Sequence, residues 1–350
     1  MEKLYSKSKT TAHMNQEARI AACVDLGNLL NGEPESLQLA IQQAAIQNTW
    51  FDTRSIQEAI KHIGSNYLNE SKLRDWVKQY PQTDQPPKKV GIIMAGNIPL
   101  VGFHDLLTVF MAGHISILKL AHKDEVLLPV VLALMAKTDD RVSGYFEIVE
   151  KLKDIDAILA TGSNNSARYF EYYFGKYPHI IRKNRVGVAV LNGRETDEEL
   201  IALGRDVFLY FGLGCRNVSS LFVPTGYDFT RLMSLWDQFS MVMDNNSYHN
   251  NYDYNLAIYI MGKINYFTNA NIFLVEQPNL ASRIAAINYQ YYENIPQVLA
   301  RLTSLQENIQ VIVSTHDLPP LATIRPGTAQ SPALHDYADG VDTFQFLTAL

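Results

Sequence analysis

The chain of 350 residues contains little cysteine, since Cys23 and Cys215 are the two thiols in its sequence. Two thiols cannot form a disulfide framework or a four-thiolate zinc site. The formal net charge is −6, so an extensive basic surface for nucleic acid is not expected. The 19 glycines and 14 prolines are too few for a collagen-like or low-complexity chain. These absences leave a globular protein, and its length predicts two or three domains.

Long apolar segments are also missing. The run Val126–Ala136 is shorter than the roughly 18 residues that span a bilayer, and Pro129 interrupts it. The first residues, MEKLYSKSKTTAHMNQEAR, lack the apolar core of a signal peptide. His104, His114 and His122 do not share a metal-ligand spacing, so no metal is expected. We therefore expect a soluble protein of the reducing cytoplasm, with no membrane span and no metal.

The pattern of apolar residues predicts an α/β fold with a helical N-terminal region. Residues 1–86 contain segments with helical periodicity and end in a proline-rich connector. Beyond residue 88, short apolar runs alternate with helical segments, which is typical of a parallel sheet covered on both faces. The runs predicted as strands are 90–94, 115–120, 157–161, 186–191, 220–223 and 311–314.

The second half of the chain gives weaker signals. Residues 229–243 and 297–305 are predicted as helices, and the Asn-rich residues 244–253 as a loop. Residues 254–261 and 270–275 are predicted as strands. Four regions follow from this pattern: residues 1–86 packed on a cofactor domain, 87–210 as a nucleotide-binding domain, 211–324 as a catalytic thiol domain, and 325–350 as an irregular tail.

Cys215 carries the clearest chemical signal. It lies on a loop between a predicted helix and a predicted strand, and Gly212 and Gly214 precede it. Glycines permit a close backbone approach and positive φ angles. The neighbouring Arg216 favours a thiolate, which is the reactive form of cysteine. A buried structural cysteine is the alternative, and it is the better assignment for Cys23 on an N-terminal helix.

Two turns after predicted strands suit an anionic or carbonyl ligand. Asn97 can donate an amide hydrogen bond to developing negative charge. Thr161, Gly162 and Ser163 open a helix, where free backbone N–H groups attract anions. Lys119 lies in an apolar strand and is expected to emerge at its end. The structural alternatives are an Asn-Pro turn, a helix cap and a lysine that reaches the surface; no Gly-x-Gly-x-x-Gly fingerprint occurs.

The order of these features resembles the aldehyde dehydrogenase superfamily and, within it, the LuxC-type fatty acyl-CoA reductases. The resemblance covers residues 88–225, and its matching stretches begin VGIIMAGNIPL, DAILATGSNN and RVGVAVLNG, the last followed by FLYFGLGCRNVSSLFVP. It implies an aldehyde dehydrogenase-like fold, with a parallel-sheet nucleotide-binding domain and an α/β catalytic domain.

The resemblance also implies roles for individual residues. Cys215 matches the nucleophile that carries an acyl thioester, and Asn97 the side chain that completes the oxyanion site with the backbone N–H of Cys215. Lys119 matches the lysine that reaches the adenosine ribose or its phosphate. Residues 161–163 match the turn that faces the cofactor pyrophosphate.

One departure from the family concerns hydrolysis. Relatives that hydrolyse their thioester have a glutamate general base upstream of the cysteine. Counting back reaches Ile181 or a neighbour, and His179–Val186 contains no carboxylate. Without this base the thioester should persist, and it should react with a thiol or a hydride instead of water.

A second departure concerns the cofactor. Three residues after Lys119, where NAD-preferring relatives often carry an acid, this chain has His122, followed by Lys123. These cations favour a 2′-phosphate, so NADPH is expected rather than NADH. The family's Glu-x-Phe-Gly-Pro signature for the nicotinamide ribose is not visible. His249 is a candidate proton donor or a surface histidine.

The sequence therefore predicts an NADPH-dependent acyl-CoA reductase that converts a fatty acyl-CoA to an aldehyde through a Cys215 thioester. The alternatives are an acyl-phosphate reductase, a CoA-acylating aldehyde dehydrogenase, and a non-catalytic scaffold subunit of an acyl-transfer complex. The resemblance further implies a homo-oligomer, with the C-terminal tail as a candidate oligomerisation segment, and an acyl-transfer partner protein.

Overall fold

The computed structural model describes residues 13–81 and 85–350. Its α-helices are α1 Gln16–Asn31, α2 Glu35–Gln47, α3 Thr53–His62, α4 Glu70–Val77, α5 Phe103–Met111, α6 Leu127–Ala136, α7 Asn164–Phe174, α8 Asp197–Phe208, α9 Thr230–Trp236, α10 Asn246–Met261, α11 Ile295–Ser304 and α12 Thr343–Thr348. Its strands are β1 Lys89–Ile93, β2 Ile115–Lys119, β3 Phe146–Ile148, β4 Ala157–Thr161, β5 His179–Arg182, β6 Val186–Val190, β7 Val218–Pro224, β8 Tyr266–Thr268, β9 Phe273–Glu276, β10 Ala286–Tyr292 and β11 Ile309–Ser314. These helices and strands form two compact units. The first contains the described residues up to Lys183 together with Ala333–Leu350, and the second contains Asn184–Pro332.

The first unit is built on a five-stranded sheet in the order β3-β2-β1-β4-β5. All of its neighbouring strands are parallel. The chain runs outward from β1 to β2 and β3 on one side, and through β4 to β5 on the other. The strand order therefore reverses between β1 and β4, which is where doubly wound sheets bind ligands. The predicted parallel sheet is confirmed.

The helical N-terminal region forms one core with the helices that cover this sheet. Trp76 of α4 is 2% exposed, and it belongs to the same apolar cluster as Phe110 of α5 and Leu132 of α6. C-terminal residues complete the cluster, since Phe344 and Leu347 of α12 are buried in it. The first unit thus combines both ends of the described chain around one apolar interior.

The second unit contains a six-stranded sheet in the order β11-β6-β7-β10-β9-β8. Its strands are parallel except for β8, which runs antiparallel to β9. β6 pairs with β7 and β11, so it belongs to this second sheet, and the change between compact units falls at Lys183 and Asn184. An apolar run such as that of β6 does not reveal which sheet it joins, because buried parallel strands look alike in sequence.

The largest error in the predicted elements concerns α10. The expected loop 244–253 and strand 254–261 are one helix, Asn246–Met261. Tyr248, Tyr252, Asn255 and Tyr259 are its buried residues, and their spacings of three and four residues place them on one helical face. Burial of that face outweighs the poor intrinsic helix propensity of Asn and Tyr.

Candidate functional site

The turns after β1 and β4 are neighbours at the carboxyl edge of the first sheet. Ile93, near the end of β1, pairs with Ala160 of β4 on one side and with Lys119 of β2 on the other. The residues that follow these three strands therefore lie along one edge, at the point where the strand order reverses. This arrangement brings together the predicted cofactor-binding residues of the first unit.

The turn after β1 exposes Asn97. Gly96 is buried beneath it, and a Cβ atom there would lie 2.6 Å from Cβ of Ala121 in the segment after β2. Glycine is therefore needed for the two loops to meet. The N–H of Leu100 donates to Oδ2 of Asp124 at 2.8 Å, and burial raises the pKa of this carboxyl to about 6. These contacts hold the turn that presents Asn97.

The turn after β4 leads directly into the N-terminus of α7. Ser163 caps this helix, because its Oγ accepts the N–H of Ser166 at 3.1 Å. A Cβ on Gly162 would lie 2.9 Å from both Cβ of Ser166 and Cε2 of Phe170. Glycine is therefore needed for this turn to pack against α7, and the N-terminus of that helix favours a negative group. Thr161, Gly162 and Ser163 lie where β4 passes into the N-terminus of α7, and their role as a pyrophosphate turn stays a prediction.

Lys119 and His122 lie on the exposed rim of the same edge. Lys119 is exposed at the last position of β2, as expected for a lysine that leaves an apolar strand. His122 is 95% exposed, and its Nδ1 lies 3.3 Å from Oε1 of Glu125. Glu125, which no sequence motif indicated, adds a carboxylate three residues after the predicted phosphate-binding histidine.

The thiol loop, residues 209–217, follows α8 in the second unit. α8 begins at a capping box in which Thr196 and Glu199 exchange side-chain and backbone hydrogen bonds. It ends at Phe208, after which Tyr210 and Phe211 both have a φ of 56° and Gly212 has a φ of 75°. Non-glycine residues in this left-handed region store strain on the order of 1–3 kcal/mol each, and such strain concentrates at functional sites.

Asn217 holds the thiol loop, although it was not among the residues that the sequence motifs indicated. Its side-chain amide donates to the carbonyl oxygens of Asp206 at 2.9 Å and Leu209 at 2.8 Å. Its Oδ1 accepts the N–H of Gly214 at 2.8 Å, and its own N–H donates to the Gly214 carbonyl at 3.0 Å. Asn217 is 2% exposed, whereas Cys215 within the turn is partly exposed. The sequence signal for such a turn was an Asn two residues after the candidate nucleophile, shortly before a predicted strand.

Arg216 lies next to Cys215, and a backbone carbonyl fixes its side chain. Nε of Arg216 donates to the carbonyl oxygen of Ala329 at 2.5 Å. A guanidinium held in place stabilises negative charge better than a mobile one, because less side-chain entropy is lost when the charge forms. The effect of this cation on the Cys215 thiol stays a prediction.

Two other expectations concern groups around the thiol. Residues 179–182 form β5 in the first unit, and Arg182 there is buried with Nη1 at 2.5 Å from Oδ2 of Asp105. The position reached by counting back from Cys215 therefore belongs to an edge strand with no carboxylate of its own. His249 lies on α10 rather than in a loop; it is half exposed, and its Nε2 lies 3.7 Å from Oδ2 of Asp253.

Cys215 and the cofactor-edge residues belong to different units, so the pairing of Asn97 with the Cys215 N–H stays a prediction. Within residues 13–81 and 85–350, no group of three or more His, Cys, Asp or Glu side chains could hold a metal ion. Among the same residues, every helix is too short or too polar to cross a membrane.

Comparison with known proteins gives both a family and a fold. The family model described as "Acyl-CoA reductase (LuxC)" matches residues 9–231. A search of curated proteins gives no match. Solved structures with a similar fold include an NAD-dependent aldehyde dehydrogenase from Sinorhizobium meliloti, with a TM-score of 0.63 and 12% identity over 86% of this chain and 70% of that one.

Two further solved structures agree. An aldehyde dehydrogenase from Bacillus cereus has a TM-score of 0.64 and 13% identity, covering 88% of this chain and 73% of that one. The aldehyde dehydrogenase KauB from Pseudomonas aeruginosa has a TM-score of 0.63 and 12% identity, covering 87% and 73%. At these identities the likeness establishes the aldehyde dehydrogenase-like α/β fold, as the sequence predicted.

Proposed function

Because the chain belongs to the LuxC acyl-CoA reductase family, whose model matches residues 9–231, we propose that it reduces an acyl-CoA to an aldehyde with NADPH. The observation that carries the proposal is the thiol loop. Cys215 is partly exposed in a turn held by Asn217, after consecutive left-handed residues and next to an anchored arginine. These features support a reactive role for Cys215 over a packing role.

In the proposed reaction, the thiolate of Cys215 attacks the thioester carbonyl of the acyl-CoA. The tetrahedral oxyanion collapses, the C–S bond to coenzyme A breaks, and the departing thiolate takes up a proton. The acyl group is then held on Cys215 as a thioester. The family pattern gives the Asn97 amide the role of oxyanion donor, and this role is part of the proposal.

The carboxyl edge of the first sheet suits a dinucleotide. Gly162 lets the turn after β4 pack closely against Ser166 and Phe170 of α7, and the N-terminus of this helix favours an anionic group. Lys119 supplies positive charge at the rim for the adenosine ribose and its phosphate, and His122 lies on the same rim. When bound there, NADPH supplies the hydride that converts the acyl thioester to an aldehyde and frees the Cys215 thiolate.

The chain's own residues also favour a long-lived thioester. Activation of water needs a general base within hydrogen-bond reach. Asp206, a carboxylate of the helix that precedes the thiol loop, accepts backbone N–H groups with both oxygens. Because Asp206 is 1% exposed and each of its oxygens accepts a backbone N–H, it is poorly placed to activate water, which supports reduction over hydrolysis as the fate of the intermediate.

Intact-protein mass spectrometry tests the proposal. Incubation with acyl-CoA but no cofactor should add one acyl group to Cys215, and NADPH should discharge it with release of aldehyde. Cys215→Ser should show no adduct, whereas the matched variant Cys23→Ser should show the wild-type adduct, because Cys23 is fully buried. An unmodified protein with every acyl-CoA, together with no NADPH consumption, contradicts the proposal and favours the scaffold alternative.

The substrate and the setting complete the proposal. We propose a fatty acyl-CoA as the substrate because of the family. The values of kcat/KM over a series of acyl chain lengths test this choice. Acyl phosphates run in parallel separate this reaction from the acyl-phosphate alternative. A cytoplasmic setting is proposed because a catalytic cysteine stays reduced in a reducing compartment. The homo-oligomer and the acyl-transfer partner stay predictions.

A further inference from the structure

Asp206 is a buried carboxylate that the proposed reaction does not use. It lies in the last turn of α8 and is 1% exposed. Its Oδ2 accepts the N–H of Gly327 at 2.6 Å, and its Oδ1 accepts the N–H of Ala329 at 3.0 Å. Both carboxylate oxygens are thus satisfied by the backbone of residues 325–332, more than a hundred residues away in sequence.

The 325–332 segment connects Asp206 to the residue that follows the nucleophile. Ala329 donates its N–H to Asp206, and its carbonyl oxygen accepts Nε of Arg216 at 2.5 Å. Gly327 has a φ of 83°, and a Cβ there would lie 3.0 Å from Cβ of Ala202 on α8. The segment therefore lies close against α8, in a conformation that favours glycine.

Asp206 also contacts the thiol loop through its main chain. Its backbone carbonyl accepts Nδ2 of Asn217 at 2.9 Å. The two residues after Cys215 are therefore both connected to Asp206, Arg216 through Ala329 and Asn217 directly. We propose that Asp206 is a positioning residue for the Cys215 thiolate, which it serves by fixing the 325–332 segment that anchors Arg216. This inference rests on the proposed role of Cys215 as nucleophile.

Charge around Asp206 makes this connection sensitive to pH. Burial raises the pKa of Asp206 to about 7, while the N–H groups of Gly327 and Ala329 and the charges of Arg216 and Arg205 act in the opposite direction. Below this pH the carboxyl takes up a proton, and one oxygen becomes a hydroxyl that accepts hydrogen bonds less well. Its hold on the 325–332 segment weakens, so the reactivity of Cys215 falls as pH decreases through 7.

Alkylation of Cys215 by iodoacetamide, followed by peptide mass spectrometry from pH 5.5 to 9, tests this inference on the full chain without any substrate. Asp206→Asn should slow alkylation at pH 7 about threefold or more, because the released Arg216 no longer stabilises the thiolate. In the wild type, the alkylation rate should fall more steeply below pH 7 than the ionisation of Cys215 alone would cause. In Asp206→Asn, the alkylation rate should follow the ionisation of a single group. If Asp206 acted only through its negative charge, the loss of that charge would lower the pKa of the Cys215 thiol and speed alkylation. The positioning role and the charge effect therefore predict opposite changes in the alkylation rate.

Three further variants make the outcome decisive. Glu198→Gln removes the same charge from an exposed position of α8 and should leave the profile unchanged. Arg216→Gln should slow alkylation like Asp206→Asn, and the double variant should add little, as expected for residues acting through one contact. Arg216→Gln also keeps the test valid if Asp206→Asn fails to fold. Unchanged or faster alkylation in Arg216→Gln, or in a folded Asp206→Asn, overturns the inference.

The test separates this inference from the proposed function. If wild-type Cys215 is alkylated with the expected pH profile but no acyl-CoA is turned over, the proposed function fails and the positioning role stands. If turnover and the acyl adduct are observed but Asp206→Asn alkylates as the wild type does, the positioning role fails alone.

Discussion

Burial and hydrogen bonding give the two cysteines opposite chemical character. Cys23 is fully buried with its sulfur 3.8 Å from that of Met111, and burial raises the pKa of its thiol. Cys215 is partly exposed, and the residue after it is an anchored arginine. A thiol must both ionise and be reached in order to react. Reagents that modify thiols should therefore report on Cys215.

The role of Asn97 gives a prediction at one side chain. Asn97→Ala should lower kcat about 10²- to 10³-fold, because a lost oxyanion donor costs that much in other enzymes. Steady-state rates with a fixed acyl-CoA and NADPH measure the effect. Asn250→Ala, which truncates an exposed asparagine on α10, should leave kcat unchanged. A loss of less than threefold in Asn97→Ala would remove Asn97 from the proposed oxyanion site.

The cofactor preference depends on opposing charges at the rim of the first sheet. His122 and Glu125 lie 3.3 Å apart, so a carboxylate stands beside the histidine expected to favour the 2′-phosphate. Glu125→Gln should raise the kcat/KM ratio of NADPH to NADH about two- to fivefold, because one exposed repulsive charge is lost. His122→Ala should lower the ratio by a similar factor. A wild-type preference for NADH, unchanged in both variants, refutes the assignment of NADPH.

At the scale of one element, the start of α7 should control cofactor affinity. Gly162→Ala places a Cβ 2.9 Å from both Ser166 and Phe170, so the helix N-terminus must move. We expect the Kd for NADPH to rise about tenfold, since such overpacking costs about 1–3 kcal/mol. Calorimetric titration measures it. Gly32→Ala is the matched control, because its φ of −78° and nearest contact of 3.5 Å accommodate alanine; an equal Kd in both variants contradicts the pyrophosphate turn.

Elements whose apolar pattern matches their burial could be predicted from the sequence. The runs at residues 90–94, 115–120 and 157–161 became β1, β2 and β4, because strands buried on both faces must be continuously apolar. β10 was missed, since its sequence AINYQYY mixes polar and aromatic residues although most of it is buried. α10 was missed for the same reason, because its buried face consists of Tyr and Asn. These residues recur at spacings of three and four, and their burial stabilises the helix.

At the scale of the whole molecule, the sequence indicated candidate site residues but not the contacts that hold them. Cys215, Asn97 and residues 161–163 could be proposed because the residues of each motif lie close together in the chain. Asp206 could not be found, because its partner backbone lies 121 and 123 residues away and leaves no local pattern. For the same reason, the sequence did not reveal that β6 belongs to the second sheet. Strand pairing is decided by long-range contacts, not by the strand's own residues.

The C-terminal residues supply a second long-range connection, within the first unit. The tail expected to be irregular ends in α12, and its Phe344 stacks on Tyr80 at a centroid distance of 4.3 Å and meets Trp76 edge-on at 5.0 Å. Nearby, Tyr337 accepts a hydrogen bond from Nε1 of Trp76 at 2.7 Å. This aromatic contact joins α4 and the last helix, so residues 333–350 are part of the core of the first unit.

That contact makes the last prediction one of stability. Phe344→Ala should lower the free energy of unfolding by about 3–5 kcal/mol, because it removes a buried ring and leaves a cavity between α4 and α12. Urea denaturation followed by tryptophan fluorescence measures it, since Trp76 itself contacts the ring. Val341→Ala, at a position 43% exposed, should change stability by less than about 0.5 kcal/mol. If Phe344→Ala were as mild as this control, the C-terminal helix would not be a structural part of the first unit, and its role in oligomerisation would become the better explanation of its apolar face.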